Sequence, residues 1–240
     1  MNKDKKPDSL SKFLAQAGIA SRRKVVDIIK SGVVTVNGTV IKEPGFKITN
    51  SDVVTVNGEK VQIESKVYIL LNKPKNCITT MSDDLSRHSV IDLISDQIKQ
   101  RVYPIGRLDR NTTGLLVLTN DGDLALRLSH PRYEVEKTYH VQLDKPFTHK
   151  DMQQLFEGVE LKDGVVAADE AYFFKGESKK RCAVVLHSGK NRVVRRLFEH
   201  LGYEVVKLDR VAYAGLTKTG LSVGSWRYLT AEEIALLKKK

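Results

Sequence analysis

The stretch Gly106-Arg107-Leu108-Asp109-Arg110-Asn111-Thr112-Thr113-Gly114-Leu115-Leu116-Val117-Leu118-Thr119-Asn120-Asp121-Gly122 constrains this 240-residue chain more than any other. Its apolar run Leu115-Leu116-Val117-Leu118 reads as a buried strand, entered through a Gly- and Thr-rich loop and closed by an Asn-Asp-Gly turn. The loop carries Asp109 between Arg107 and Arg110. A carboxylate held near guanidinium groups stays ionised, which suits it to act as a nucleophile or base. By spacing alone an Asp in such a loop is far more often a turn former or helix cap than a catalyst. Val102-Tyr103-Pro104-Ile105 leads into the loop, so structured elements hold it on both sides, as a positioned carboxylate requires.

Upstream, the letters Val33-Val34-Thr35-Val36-Asn37-Gly38 return as Val53-Val54-Thr55-Val56-Asn57-Gly58. Each copy reads as a strand running into an Asn-Gly hairpin turn, where both central residues must tolerate positive φ. Two short helices precede the copies. Ser9 or Ser11 caps the first, which carries Leu10, Phe13, Leu14 and Ala17 to a stop at Gly18; Ser21 caps the second, which carries Val25, Val26, Ile28 and Ile29 to Gly32. From about residue 66 the strands lengthen, starting with Val67-Tyr68-Ile69-Leu70-Leu71, which Pro74 must end because it cannot donate to a ladder. These changes divide the chain into residues 8–65 and 66–240.

Farther on, Asp123 is placed to cap a helix through Leu128 that stops at His130-Pro131, and Lys137, Tyr139 and Val141 alternate onto one face of a strand. Thr148 to Phe156 reads as a capped helix ending at Gly158, and Lys162-Asp163-Gly164 as a hairpin turn. In Gly189 to Gly202, Asn191 is placed as a cap, and Val194, Leu197, Phe198 and Leu201 form one apolar stripe. Arg192, Arg195 and Arg196 share another face, where three guanidiniums repel one another unless an anion faces them.

Charge narrows the partners. There are 40 Lys plus Arg against 29 Asp plus Glu, a net charge of +11. Residues 1–65 hold 11 basic and 7 acidic side chains, or +4, and the remainder 29 and 22, or +7, so both parts attract a polyanion. No run of eighteen apolar residues is present and the N-terminus lacks the apolar core of a secretory signal, so no membrane association and a cytoplasmic location are expected. Cys77 and Cys182 have no Cys-x-x-Cys partner, and the six histidines lack metal-ligand spacing, so neither a disulfide framework nor a metal site is expected.

The 106–122 run resembles the catalytic motif of RNA pseudouridine synthases, in which the Asp of Gly-Arg-Leu-Asp is essential. Residues 8–60 resemble the S4 RNA-binding domain, whose basic residues at the start of the second helix contact RNA; here these are Arg22, Arg23 and Lys24, with Lys12 and Lys30 in support. Cations at that helix end oppose its dipole, and an RNA phosphate between them would resolve the conflict. Lys73-Pro74-Lys75 with Asn76 resembles the family's Lys-Pro-Lys-Gly, and Gly189 to Gly202 resembles its third motif, with Ser188 where Glu is common and Val193 where Gln is common. The ending Gly224-Ser225-Trp226-Arg227-Tyr228-Leu229 also follows the family, with Trp226 read as core.

Taken over nearly the whole chain, the resemblance lies nearest the RsuA/RluB branch, which joins an S4 domain to the catalytic domain. It implies an α+β or α/β fold with a mainly antiparallel sheet split by a central cleft. The implied reaction isomerises one uridine of ribosomal RNA to pseudouridine without cofactor or metal. Asp109 would be catalytic, Arg195 would pair with it, and Tyr139 would stack on the uracil and be available for proton transfer. Lys73, Arg107, Lys190, Arg192 and Arg196 would join Arg22, Arg23 and Lys24 in contacting RNA. The implied partner is ribosomal RNA or an assembling ribosomal subunit, engaged by a monomer. The form of the S4 segment and Ser129-His130-Pro131 favour the large subunit. A small-subunit enzyme and a non-catalytic S4-type assembly factor are the alternatives.

Overall fold

In the computed structural model, which describes residues 8–83 and 85–239, the chain divides into two units, Met1–Val67 and Tyr68–Lys240. The first contains β1 (Asp8–Ser9), α1 (Leu10–Gln16), α2 (Arg22–Lys30), β2 (Val34–Val36), β3 (Thr39–Val40), β4 (Lys47–Ile48), β5 (Val54–Val56) and β6 (Glu59–Lys60). The Ser9 and Ser21 hydroxyls accept hydrogen bonds from the Lys12 and Lys24 amides at 3.3 Å, capping both helices. The repeated hexapeptide pairs with its own copy: β2 and β5 run antiparallel with Thr35 opposite Thr55, whose hydroxyls meet at 2.8 Å. Both Asn-Gly turns have positive φ at both central residues, 51° and 82° in the first and 51° and 86° in the second. Leu10, Leu14, Val25, Ile29, Val34, Val36, Ile48 and Val54 close the core. Val26 and Ile28 are only partly buried, because the one-turn spacing of Val25 and Ile29 defines the inner face of α2.

The second unit is built on β7 (Tyr68–Lys73), β8 (Tyr103–Pro104), β9 (Thr113–Thr119), α3 (Gly122–Ser129), β10 (Lys137–Leu143), α4 (His149–Glu157), β11 (Val159–Leu161), β12 (Gly164–Val166), β13 (Glu170–Phe173), β14 (Arg181–Leu186), α5 (Val193–His200), β15 (Val205–Tyr213), β16 (Leu216–Thr217), β17 (Trp226–Tyr228) and α6 (Ala231–Lys239). Seven strands form a sheet in the order β13-β14-β10-β15-β9-β7-β17, with β8 and β16 attached to β9 and β15. Its pairings are antiparallel except that of β9 with β15, where two residue pairs meet, Thr113 with Asp209 and Gly114 with Arg210.

That short parallel join separates two apolar cores. On one side α4 and α5 pack Leu155, Leu197 and Phe198 against Val141 of β10 and Val184 of β14. On the other, α3 and α6 pack Leu124, Leu128 and Leu237 against Leu70 of β7 and Leu115 and Val117 of β9. A cleft lies where the two halves meet, lined by Leu128 and Tyr213 of one core and by Tyr139 and Val193 of the other.

Three local expectations are corrected. Asp121, not Asp123, caps α3: its side chain accepts from the Leu124 amide at 3.4 Å and from the Tyr68 hydroxyl at 2.8 Å, while Asp123 lies in the first turn. Arg192, not Asn191, occupies the N-cap of α5, with φ 49° and no side-chain cap. Trp226 lies on the sheet-edge strand β17, partly exposed, with its ring edge against Tyr228 rather than in either core. Pro74 does end β7, and Asn76 takes φ 58°, the left-handed geometry that Gly would have supplied.

Candidate active site

Asp109 is held from both ends of its loop. Leu108 is buried, and the Thr79 hydroxyl both donates to its carbonyl at 2.9 Å and accepts from its amide at 3.3 Å. The Thr112 amide donates to the Asp109 carbonyl at 3.0 Å, tightening the turn. Gly114 then crosses β15 so closely that a Cβ there would lie 2.2 Å from the Arg210 carbonyl oxygen, at a φ of +110°. Only glycine lets the loop enter the sheet at this point.

Lys73 clamps the loop from below. Its side chain is fully buried and its ammonium donates to the carbonyls of Pro74 at 3.0 Å and Arg110 at 3.3 Å. Burial lowers its pKa to about 8, against the opposing pull of Cys77 and Asp109. The expected contact of Lys73 with an RNA backbone is thus corrected: the inward-turning strand end leaves its charge inside the protein.

Two guanidiniums face the Asp109 carboxylate. Arg192 Nη1 lies 3.4 Å and Arg195 Nε 3.8 Å from the same oxygen, Oδ2. Arg195 is the more enclosed, and its Nη1 donates to the Val205 carbonyl at 2.8 Å, which fixes the guanidinium against β15. Burial, reinforced by the charge of Arg192, lowers the Arg195 pKa. Arg192, expected on RNA, therefore also flanks the carboxylate. Arg196 points elsewhere: its two terminal nitrogens grip both carboxylate oxygens of Asp163 at 2.8 and 3.0 Å. Lys190 donates to the carbonyls of Asp163 and Gly164 at 2.6 and 3.0 Å. Both cations, expected on RNA, instead anchor the β11–β12 hairpin beside α5, because the turn at Asp163 offers a carboxylate and two carbonyls within reach.

The cleft in front of Asp109 has a volume of about 780 Å³. Tyr139 forms part of its wall from β10, largely buried, and the exposed Arg107 stands at its margin. Lys137 also lines it, with its ammonium on the carbonyls of Val135 and His187 and its pKa lowered to about 8, by burial first and then by Arg210. His187 Nδ1 lies 2.8 Å from Asp169 on the same side. A second groove, lined by Lys75, Arg110, Arg192 and Arg195, also ends at Asp109. Lys75 and Arg110 are exposed there and were missed as basic lining residues, although Lys-Pro-Lys and the Arg after Asp109 were visible signals. In the first unit Arg22, Arg23 and Lys24 stand exposed on the first turn of α2, without an ion-pair partner among the described residues.

The arrangement joins a partly exposed carboxylate, two guanidiniums and a tyrosine in a cleft wide enough for a nucleotide. Residues 67–200 match the family model described as RNA pseudouridylate synthase, and residues 9–54 match the S4 domain. The chain is 44% identical over 234 residues to the ribosomal large subunit pseudouridine synthase B of Bacillus subtilis, covering 96% of each chain. It is 36% identical to the dual-specificity RNA pseudouridine synthase RluF of Escherichia coli, covering 97% of this chain and 80% of that one. A crystal structure of a pseudouridylate synthase superposes with a TM-score of 0.68 at 28% identity, over 96% of this chain and 99% of that one. The chain belongs to the RNA pseudouridine synthases that carry an S4 domain ahead of the catalytic domain.

Proposed function

We propose that this enzyme isomerises a uridine of large-subunit ribosomal RNA to pseudouridine, acting as a monomer in the cytoplasm on free rRNA or on an assembling subunit. The observation that carries the reading is the pairing of Asp109 with Arg192 and Arg195 at the mouth of a cleft walled by Tyr139. The name of the Bacillus relative, which matches this chain over nearly its whole length, supports the large subunit. Two buried, unpaired cysteines suit a reducing compartment.

In this reading the target base leaves its stack, at a cost of a few kcal/mol, and enters the cleft base first. Exposed cations offset that cost by binding phosphates: Arg107, Lys75 and Arg110 around the cleft, and Arg22, Arg23 and Lys24 on the first unit. Asp109 acts on the flipped nucleotide, Arg195 and Arg192 orient its carboxylate, and Tyr139 stacks on the uracil. The bond to N1 is broken, the uracil turns in place, and a bond to C5 replaces it. The test is release of tritium from large-subunit rRNA transcripts labelled at uridine C5, followed by mapping of pseudouridine in rRNA from a strain lacking the gene. Release from small-subunit transcripts alone would overturn the subunit assignment, and binding without release would leave an RNA-binding protein.

A further inference from the structure

Two residues that line the cleft each carry a buried polar atom with no hydrogen-bond partner: Arg210 Nη2 and Thr112 Oγ1. Both residues are more than nine-tenths buried, at 3% and 2% exposure. A buried polar group left unpaired is costly, the more so when it is charged, so each such group needs an explanation. Arg210 is otherwise firmly held. Its Nε donates to the Leu115 carbonyl at 2.8 Å and its guanidinium lies 4.6 Å from the centre of the Tyr213 ring. No carboxylate pairs with it among the described residues; the adjacent Asp209 is engaged by Thr113 and Lys218.

Its position says what it faces. Arg210 on β15 is in register with Tyr139 on β10 and with Gly114 on β9, two residues after Thr112 in the Asp109 loop. Arg210 therefore lies on the strand between the one that carries the tyrosine expected to stack on the base and the one that the carboxylate loop enters. The target nucleotide's phosphates stay with its backbone at the cleft margin, whereas the base is the part that reaches the interior wall.

We infer that Arg210 and Thr112 read the polar edge of the target uracil, Arg210 Nη2 donating to a ring carbonyl and the Thr112 hydroxyl pairing with the neighbouring N3–H. The inference rests on the function proposed above. It also fits the demands of the reaction. The C1′–N1 bond breaks with its electron pair going to N1, and the ring turns about its N3–C6 axis. The C1′–C5 bond then forms with a pair from C5, the C5 proton leaves, and N1 takes a proton, so that atoms and charge balance. That turn exchanges O2 with O4 and leaves N3–H where it was. A fixed donor beside a fixed acceptor therefore holds the ring equally well before and after it turns. While detached, the uracil spreads its negative charge over both carbonyl oxygens, where a guanidinium in a dry site is most effective.

The experiment measures tritium release by the full chain from large-subunit rRNA transcripts labelled at uridine C5, with kcat and KM determined separately. Arg210→Gln should lower kcat by about a hundredfold, the effect of removing one preorganised donor, with KM within about threefold of the parent. Thr112→Val, which keeps shape and loses the hydroxyl, should lower kcat by about tenfold, as loss of one hydrogen bond implies. A merely structural role would lower melting temperature and scale the active fraction without this split; a phosphate contact would raise KM instead. Either pattern in Arg210→Gln overturns the inference, as does turnover by both variants within threefold of the parent. If Arg210→Gln fails to fold, Thr112→Val decides alone, and kcat within twofold of the parent overturns it. No release by the parent protein would count against the proposed function itself, which keeps the two failures apart.

Discussion

Replacing Gly114 by Ala should damage stability and catalysis together, because this one residue lets the Asp109 loop enter the sheet. The new methyl would lie 2.2 Å from the Arg210 carbonyl oxygen and 2.6 Å from its amide nitrogen, both backbone atoms that no rotamer change can move. Ordinary contact begins near 3.4 Å, so β9 and β15 must part by roughly 1 Å, the width of a repulsive wall. That separation weakens the two-residue parallel join, at about 1 kcal/mol for each hydrogen bond broken. Holding Ala at φ +110° adds about 1–3 kcal/mol. The sum is about 3–5 kcal/mol, measurable as a shift of the urea midpoint of the unit that unfolds with the sheet. In molecules that remain folded, a displacement of about 1 Å at the catalytic loop should lower tritium release by about a hundredfold. A Gly114→Ala protein within 1 kcal/mol of the parent, turning over within threefold of it, would refute the claim that the β9–β15 crossing positions the site.

Arg195→Lys should lower kcat strongly with little change in RNA affinity, since Lys offers a point charge without the planar fork that reaches both Asp109 and the Val205 carbonyl; a raised dissociation constant with kcat intact would return Arg195 to the phosphate-binding cations. Arg196→Lys should loosen the β11–β12 hairpin, read as faster amide exchange in residues 159–166, without changing the salt dependence of RNA binding. Replacing Arg22, Arg23 and Lys24 together by Ala should reduce the slope of log affinity against log salt by roughly 0.7–0.9 for each phosphate no longer neutralised, with kcat at saturating RNA unchanged; an unaltered slope would exclude this run as an RNA anchor. Lys73 has its pKa lowered from 10.5 to about 8 by burial, so the folded protein binds fewer protons than the unfolded chain between those values. Stability from this group therefore rises with pH between about 8 and 10.5, by an amount on the order of 3 kcal/mol. Lys73→Met should lack that rise in parallel urea titrations, and an identical pH profile in the two proteins would show that the ammonium is solvated.

Much of the architecture was legible because local rules sufficed. The duplicated Val-Val-Thr-Val-Asn-Gly dictated its own turns, and Thr148 capped α4 where the hydroxyl, the helical period and Gly158 agreed. The misplaced features depend on partners distant in sequence. Asp121 became the cap of α3 because the Tyr68 hydroxyl, 53 residues away, already holds its carboxylate. Arg195 and Arg196 are adjacent in sequence and share one helix; the resemblance assigned Arg195 to Asp109, which it meets, but nothing near Arg196 signals its pairing with Asp163, 33 residues away. Lys73 looked like a strand-end surface lysine, and only the Asp109 loop folding over it turns it into a buried clamp. Arg210 left a faint trace: it stands in phase with Leu208 along β15, an arginine at an inward position of a strand. Thr112 left none, since a hydroxyl in a Thr-rich loop has too many ordinary uses.

The most direct test of the account is the tritium assay with Asp109→Asn, which removes an ionised carboxylate and almost no volume, run beside RNA binding and thermal melting of the same protein. Isomerisation should fall below detection while the melting temperature and RNA affinity stay close to those of the parent. Turnover within tenfold of the parent, with deamidation back to Asp excluded by mass spectrometry, would contradict it.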